Sequence, residues 1–198
     1  MISLQKGQKI SLEKNGSQLT KMCVGVNWGA IEKKGMFRTT TQDVDLDASV
    51  GLFDGSGNLV DTVYYGKLKG RGITHSGDDR AGDSGGDDGL DNEVIQIDLA
   101  NVDSQVESIA FVLNSFNGID FKDIPFASVR LYEGTPERVD EVVAKYDIAN
   151  DSKFSGSVSI VLGKLYRHNG AWKFSAIGEP TSDRRLEQLL QTVKNKFI

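Results

Sequence analysis

The sequence predicts a mainly β protein: an antiparallel two-sheet β-sandwich with acidic loops and one C-terminal amphipathic helix. Three observations lead there. Short runs rich in Val, Ile, Leu, Phe and Tyr recur between glycine and Asx punctuation along most of the chain. No helical repeat separates them, as a parallel α/β sheet would require. Only after Pro180 does the apolar spacing change to a helical period.

In chain order the strand-like runs are MCVGVNW, DVDLDASVGLF, LVDTVYY, EVIQIDL, SIAFVLN, SVRLYEG, VAKYDIA, SVSIVLGKLYR and WKFSAIG, which suggests about nine or ten strands. Two turns have explicit chemistry. Asp54-Gly55-Ser56-Gly57 separates two runs, and His168-Asn169-Gly170-Ala171 supplies the Asn-Gly pair that tolerates positive φ at both central positions of a type I′ hairpin. Near the C-terminus, Leu186, Leu189, Leu190, Val193 and Phe197 recur at helical spacing. A helix of about four turns is expected at about 182–197, with a hydroxyl of Thr181 or Ser182 as cap and Asp183 at the positive end of the dipole. Its apolar stripe should pack on a sheet.

Composition narrows the function. With 198 residues, 38% hydrophobic and 26% charged, the chain reads as one domain spanning 1–198. A net charge of -5 argues against the basic footprint needed to hold a nucleic acid. No apolar stretch reaches the roughly 18 residues of a transmembrane helix, and the N-terminus does not read as an export signal. The single cysteine, Cys23, fits a reducing cytoplasm.

Two acidic elements carry the chemistry. The first, Asp43-Val44-Asp45-Leu46-Asp47-Ala48-Ser49, would in a strand place Asp43, Asp45 and Asp47 on one face and the apolar residues on the other. Carboxylates two apart lie about 7 Å from each other, and at an effective dielectric near 20 each pair repels by roughly 2 kcal/mol. The second runs from Asp78 to Glu93, DDRAGDSGGDDGLDNE, with seven carboxylates and one arginine threaded through glycine. A divalent cation reverses the sign of the repulsion in both. Calcium, with six to eight oxygen ligands in forgiving geometry, suits such a donor set. Magnesium asks for a tighter octahedron, and zinc for nitrogen or sulfur, of which this region has only His75. A solvated acidic strand face and a charge-repelled disordered insertion are the plainer readings.

Three other motifs fail. Asp43, Asp45, Asp47 and Asp54 fall at EF-hand ligand positions, but Ala48 stands where that loop needs glycine and the flanks look like strand. Gly82-Asp83-Ser84-Gly85-Gly86 spells the string around a serine-protease nucleophile, yet neither His75 nor His168 has the context of its base. Gly163-Lys164 lacks both the upstream glycine and the following Ser or Thr of a phosphate-binding loop.

The segments ISLQKGQKISLEK, CVGVNWG, DVDLDASVGLF, HSGDDRAGDSGGDDGLDNEVIQIDL, FVLNSF, ASVRLYEG and GKLYRHNGAWKFSAIGEP together resemble the TerD family of bacterial tellurium-resistance and stress-response proteins. The resemblance covers nearly the whole chain and is most specific in HSGDD…GDD…DNE. It implies a β-sandwich holding two calcium ions, in the cytoplasm or at the inner face of the membrane. By position, Asp43, Asp45 and Asp47 match the strand motif, and Asp78, Asp79, Asp83, Asp87, Asp88 and Glu93 match the loop. The loop is longer here than the EGDGDDE of many members, which leaves the direct ligands open among Asp87, Asp88, Asp91 and Glu93. The function this implies is non-enzymatic: a calcium-binding protein of tellurite or chemical-stress resistance that works through other stress-resistance proteins. The alternative is a calcium-bridged module for anionic ligands, membrane lipid head groups or a cyclic nucleotide, with Lys67-Leu68-Lys69-Gly70-Arg71 as its landing strip.

Overall fold

The structure, a computed structural model, describes residues 2–3, 8–14, 17–149 and 151–198. The strands of the N-terminal third are β1 Ile2–Ser3, β2 Lys9–Ser11, β3 Glu13–Lys14, β4 Ser17–Gln18, β5 Lys21–Trp28, β6 Ile31–Lys34, β7 Thr39–Gln42 and β8 Leu46–Phe53. There follow β9 Leu59–Val63, β10 Lys69–Gly70, β11 Ile73–His75, β12 Glu93–Asp98 and β13 Ser108–Ser115. The last are β14 Ala127–Thr135, β15 Arg138–Asp147, β16 Ser159–His168 and β17 Ala171–Thr181, before helix α1 Leu186–Phe197.

Two sheets form the sandwich. One is ordered β1-β15-β14-β5-β12-β11-β10 and the other β2-β17-β16-β13-β8-β9. The pairing is antiparallel except where β1 runs parallel to β15, Ile2 opposite Ala144. Period-2 alternation explains the long apolar strands. In β8, Leu46, Ala48, Val50 and Leu52 enter the core between the sheets, while Phe53 joins a second cluster on the outer face. β13 splits likewise, with Ile109, Phe111 and Leu113 inside, and Ala110 and Val112 outside. Helix α1 covers that outer face through Leu189, Leu190 and Val193, all buried. At roughly 1.5–3 kcal/mol for each buried aliphatic side chain, this packing holds the helix rather than any cap.

The Asn-Gly turn has the φ values its sequence asks for, 53° at Asn169 and 78° at Gly170. Three expectations need correction. The helix begins at Leu186, with Arg185 at its N-cap and no side-chain cap bond. Strand pairing wins instead: β17 stays extended to Thr181, opposite Ser159, and the Ser159 hydroxyl donates to the Asp183 carbonyl. The acidic strand begins at Leu46, so Asp43 and Asp45 precede it and only Asp47 lies on the sheet. There Val44 N–H is taken by the Ala81 carbonyl of the acidic loop rather than by a strand. Finally, Ile31–Gln42 is a β6–β7 hairpin outside both sheets, a segment the strand pattern did not mark.

Candidate metal centre

The acidic loop is anchored on the indole and backbone of Trp28. The Trp28 Nε1–H donates to the Val44 carbonyl at 2.7 Å, its backbone N–H donates to Asn92 Oδ1 at 2.8 Å, and its carbonyl accepts from Asp83 N–H at 3.0 Å. Ala30 N–H in turn donates to the Asp83 carbonyl. Gly82 makes this approach possible. It has φ 74°, and a Cβ there would lie 2.6 Å from Trp28 Cδ1.

Within this frame the carboxylates separate into groups with different tasks. Asp45, Asp47 and Asp78 each place an oxygen within 4.8 Å of the others. Asp83, Asp87 and Asp88 form a second such group inside the loop. In the first group Asp47 is 3% exposed and accepts from Asn114 Nδ2 at 3.2 Å. Burial, followed by the charges of Asp45, Glu93 and Asp78, pushes its carboxyl up to about 7. Burial and the Asp78 charge also raise Asp45, whose Oδ1 is buried without a hydrogen-bond partner. Two full charges at 4.8 Å repel by on the order of 3 kcal/mol at an effective dielectric of 20. This group is therefore arranged against itself unless a proton or a cation enters.

The second group is better supplied. Asp87 Oδ1 accepts from Asn27 Nδ2 at 2.9 Å and Gly89 N–H at 2.7 Å, and the Asn27 bond leads in lowering its pKa. Asp83 accepts from Asn92 Nδ2 at 3.0 Å and from Asp88 N–H at 3.2 Å. Asp88 accepts from Leu90 N–H. Each retains oxygen capacity toward solvent.

The remaining candidates hold the frame. Asp79 caps its own turn, accepting from Ala81 N–H and Gly82 N–H, and from Asn92 Nδ2 on its other oxygen. Burial works to raise its pKa, but those bonds outweigh it and lower it. Asp91 is buried beside Arg130, 2.8 Å from its Nε, so its charge is met inside the protein. Glu93 is fully buried, accepting from Ala48 N–H at 2.8 Å and lying 3.5 Å from His75 Nε2. Burial opposes charge on His75, and the Glu93 carboxylate overcomes that and raises its pKa. Asp43 is exposed and stands outside both groups.

The donor set fits a hard cation: oxygen only, three carboxylates per group, and in the first group a buried oxygen lacking a partner. Sequence reasoning missed Asn27, Asn92 and Asn114, whose amides aim the carboxylates; an Asn within a strand, as Asn27 and Asn114 are, or just before one, as Asn92 is, carries no local signal of that role. Ser84 is exposed in the loop, while His75 is engaged with Ala48 and Glu93. A cleft of about 480 Å³ opens beside Asp47, between Tyr65, Phe116 and the start of α1. The proposed landing strip is largely neutralised: Lys67 and Arg71 both pair with Asp61, and Arg71 also pairs with Asp103.

Comparison with known proteins agrees with this architecture. The TerD domain model matches residues 1–192. The chain is 34% identical to tellurium resistance protein TerZ of Serratia marcescens over 100% of both chains. It is 35% identical to stress response protein SCP2 of Bacillus subtilis (strain 168), covering 96% of this chain and 97% of that one. The crystal structure of a homologue of telluride resistance protein (TerD) from Streptomyces coelicolor A3(2) superposes with a TM-score of 0.67 at 15% identity, covering 87% of this chain and 95% of that chain, and so shares the fold. By sequence match over its length, and with the sandwich and acidic loop in place, this chain belongs to the TerD family.

Proposed function

We propose that this chain is a non-enzymatic, calcium-binding stress-response protein of tellurite or general chemical-stress resistance, acting in the cytoplasm through calcium-dependent contacts with other stress-resistance proteins. One calcium ion belongs at Asp45, Asp47 and Asp78, and a second at Asp83, Asp87 and Asp88. The observation that carries this reading is the first group: three carboxylate oxygens within 4.8 Å, one on a buried residue, and a buried Asp45 oxygen with nothing to bond. Burying an uncompensated charge is costly, and a resident cation would compensate it. The names of the relatives supply the stress context. Direct capture of tellurite is disfavoured, because the oxyanion would meet the clustered carboxylates of the two groups.

Calorimetric titration of calcium into EDTA-stripped protein tests the reading, with thermal melting in parallel. A native-state ligand at 100 times its Kd stabilises by about 2.7 kcal/mol. For a domain of this size that corresponds to a rise in Tm of roughly 5–10 °C. Absence of both heat and shift at low ionic strength would overturn calcium binding.

A further inference from the structure

The most exposed large apolar side chains sit side by side at the tip of the Ile31–Gln42 hairpin: Met36 at 90% and Phe37 at 95% exposure. Scattered single hydrophobics on a surface need no explanation, but two consecutive ones on a projecting turn do. The tip is a four-residue loop, Gly35 to Arg38, closed by Gly35 N–H donating to the Arg38 carbonyl at 2.9 Å. Lys34 pairs across to Thr39 and Lys33 to Thr40. Lys33, Lys34 and Arg38 are exposed and form no ion pair among the described residues. A protein of net charge -5 therefore carries an apolar point ringed by three unpaired cations.

We infer that this hairpin tip docks on an anionic lipid surface, Met36 and Phe37 entering the interfacial layer while Lys33, Lys34 and Arg38 meet the head groups. Length suits the task. Four residues of β6 at about 3.4 Å each carry the tip about 14 Å from its root, beyond the 5–10 Å depth of interfacial insertion. The chemistry is complementary on both counts, since aromatic rings settle at head-group level and cations near an anionic leaflet gain from its surface potential. Leu90, also exposed at 68%, makes the contrast: it lies among Asp87, Asp88 and Asp91, whose charges an anionic surface would repel. Two cations on the outer half of β6 and a third closing the loop concentrate positive charge at the tip, while the one carboxylate of β6, Glu32, lies nearer the root. The root is secured, because Ala30 N–H donates to the Asp83 carbonyl and Val44 N–H to the Ala81 carbonyl. The inference does not rest on calcium occupancy, since the lipid-facing groups are cations and apolar side chains of the hairpin itself.

Sedimentation with vesicles of equal phosphatidylglycerol and phosphatidylcholine, against phosphatidylcholine alone, tests it, each in calcium and in EDTA at low ionic strength. The full chain is expected to pellet with the anionic vesicles in both media. Met36→Ser/Phe37→Ser should lower the partition coefficient by at least about tenfold, and Lys33→Gln/Lys34→Gln by about fivefold for each cation removed. Both variants should melt with the parent, because none of these side chains is buried. No pelleting with anionic vesicles would overturn the inference, and so would pelleting unchanged by both variants. Pelleting seen only with calcium and insensitive to the hairpin would instead mark calcium bridging at the acidic groups, a result that rejects the hairpin and leaves calcium binding intact.

Discussion

Asp47 is the residue where stability and binding pull in opposite directions. Its carboxyl, pushed up to about 7 chiefly by burial, binds a proton in the folded protein across a range where the unfolded chain, near its ordinary 3.8, has lost it. The native state then holds more protons than the unfolded state between about pH 4 and 7, so stability falls as pH rises through that window. Asp45 and His75, both raised, act in the same sense. Asp79 and Asp87 are lowered and act in the opposite sense, in the acid range below about pH 4. In EDTA the melting temperature should therefore fall from pH 5 to pH 8, and saturating calcium should flatten or reverse that slope; a flat profile without calcium would contradict it. Asp47→Asn should remove much of the slope, raise the metal-free Tm at pH 8, and weaken calcium binding by at least about tenfold, about 1.4 kcal/mol, as calorimetry would register. Glu93 is raised by burial too, and it is held in place by Ala48 N–H and His75. Glu93→Ala leaves the buried Ala48 N–H without its acceptor and His75 without its counter-charge, and should cost roughly 3–5 kcal/mol by chemical denaturation.

At the scale of elements, the loop depends on its approach to β5. Gly82→Ala would force a Cβ against Trp28 at a φ of 74°, in the left-handed region. A loss of roughly 1–3 kcal/mol is expected, and calcium affinity should drop with it, although no carboxylate has changed. Helix α1 is held chiefly by packing, with Lys164 Nζ donating to the Phe197 carbonyl at its far end, so Leu190→Ala should cost about 2–5 kcal/mol in denaturant melts. These elements also show what the sequence could and could not express. The Asn169-Gly170 turn and the period-2 strands were legible because local chemistry dictates them. The helix start was not: Thr181 or Ser182 reads as a cap and Asp183 as a dipole partner, but β16 claims the chain as far as Thr181. The strand boundary at Leu46 was hidden for a similar reason, since Val44 finds its carbonyl in a loop 37 residues away, from 44 to 81. Long-range partners of that kind leave no trace in local spacing.

For the whole molecule, two sheets with a shared core make a rigid platform from which the acidic loop and the Ile31–Gln42 hairpin emerge at neighbouring roots. The acidic residues announced themselves by density alone, and six of the ten candidates, Asp45, Asp47, Asp78, Asp83, Asp87 and Asp88, come together in the two carboxylate groups. Their division of labour was not legible in sequence. Asp91 faces Arg130 of β14 and Glu93 faces His75 of β11, contacts set by strand order across the first sheet. The hairpin was missed because KKGMFR has no strand alternation, and its three cations read as an ordinary solvated turn; its meaning lies in the exposure of Met36 and Phe37.

Trp28 gives the molecule a built-in optical gauge. Its ring is fully buried, and its three hydrogen bonds reach the segments on which both carboxylate groups are hung. The other tryptophan, Trp172, lies under the Arg167 guanidinium, 4.4 Å from it, beside the Asn169-Gly170 turn. In a Trp172→Phe background, emission should report the seating of the acidic loop directly, so that ion occupancy can be followed by colour in a cuvette without any attached dye.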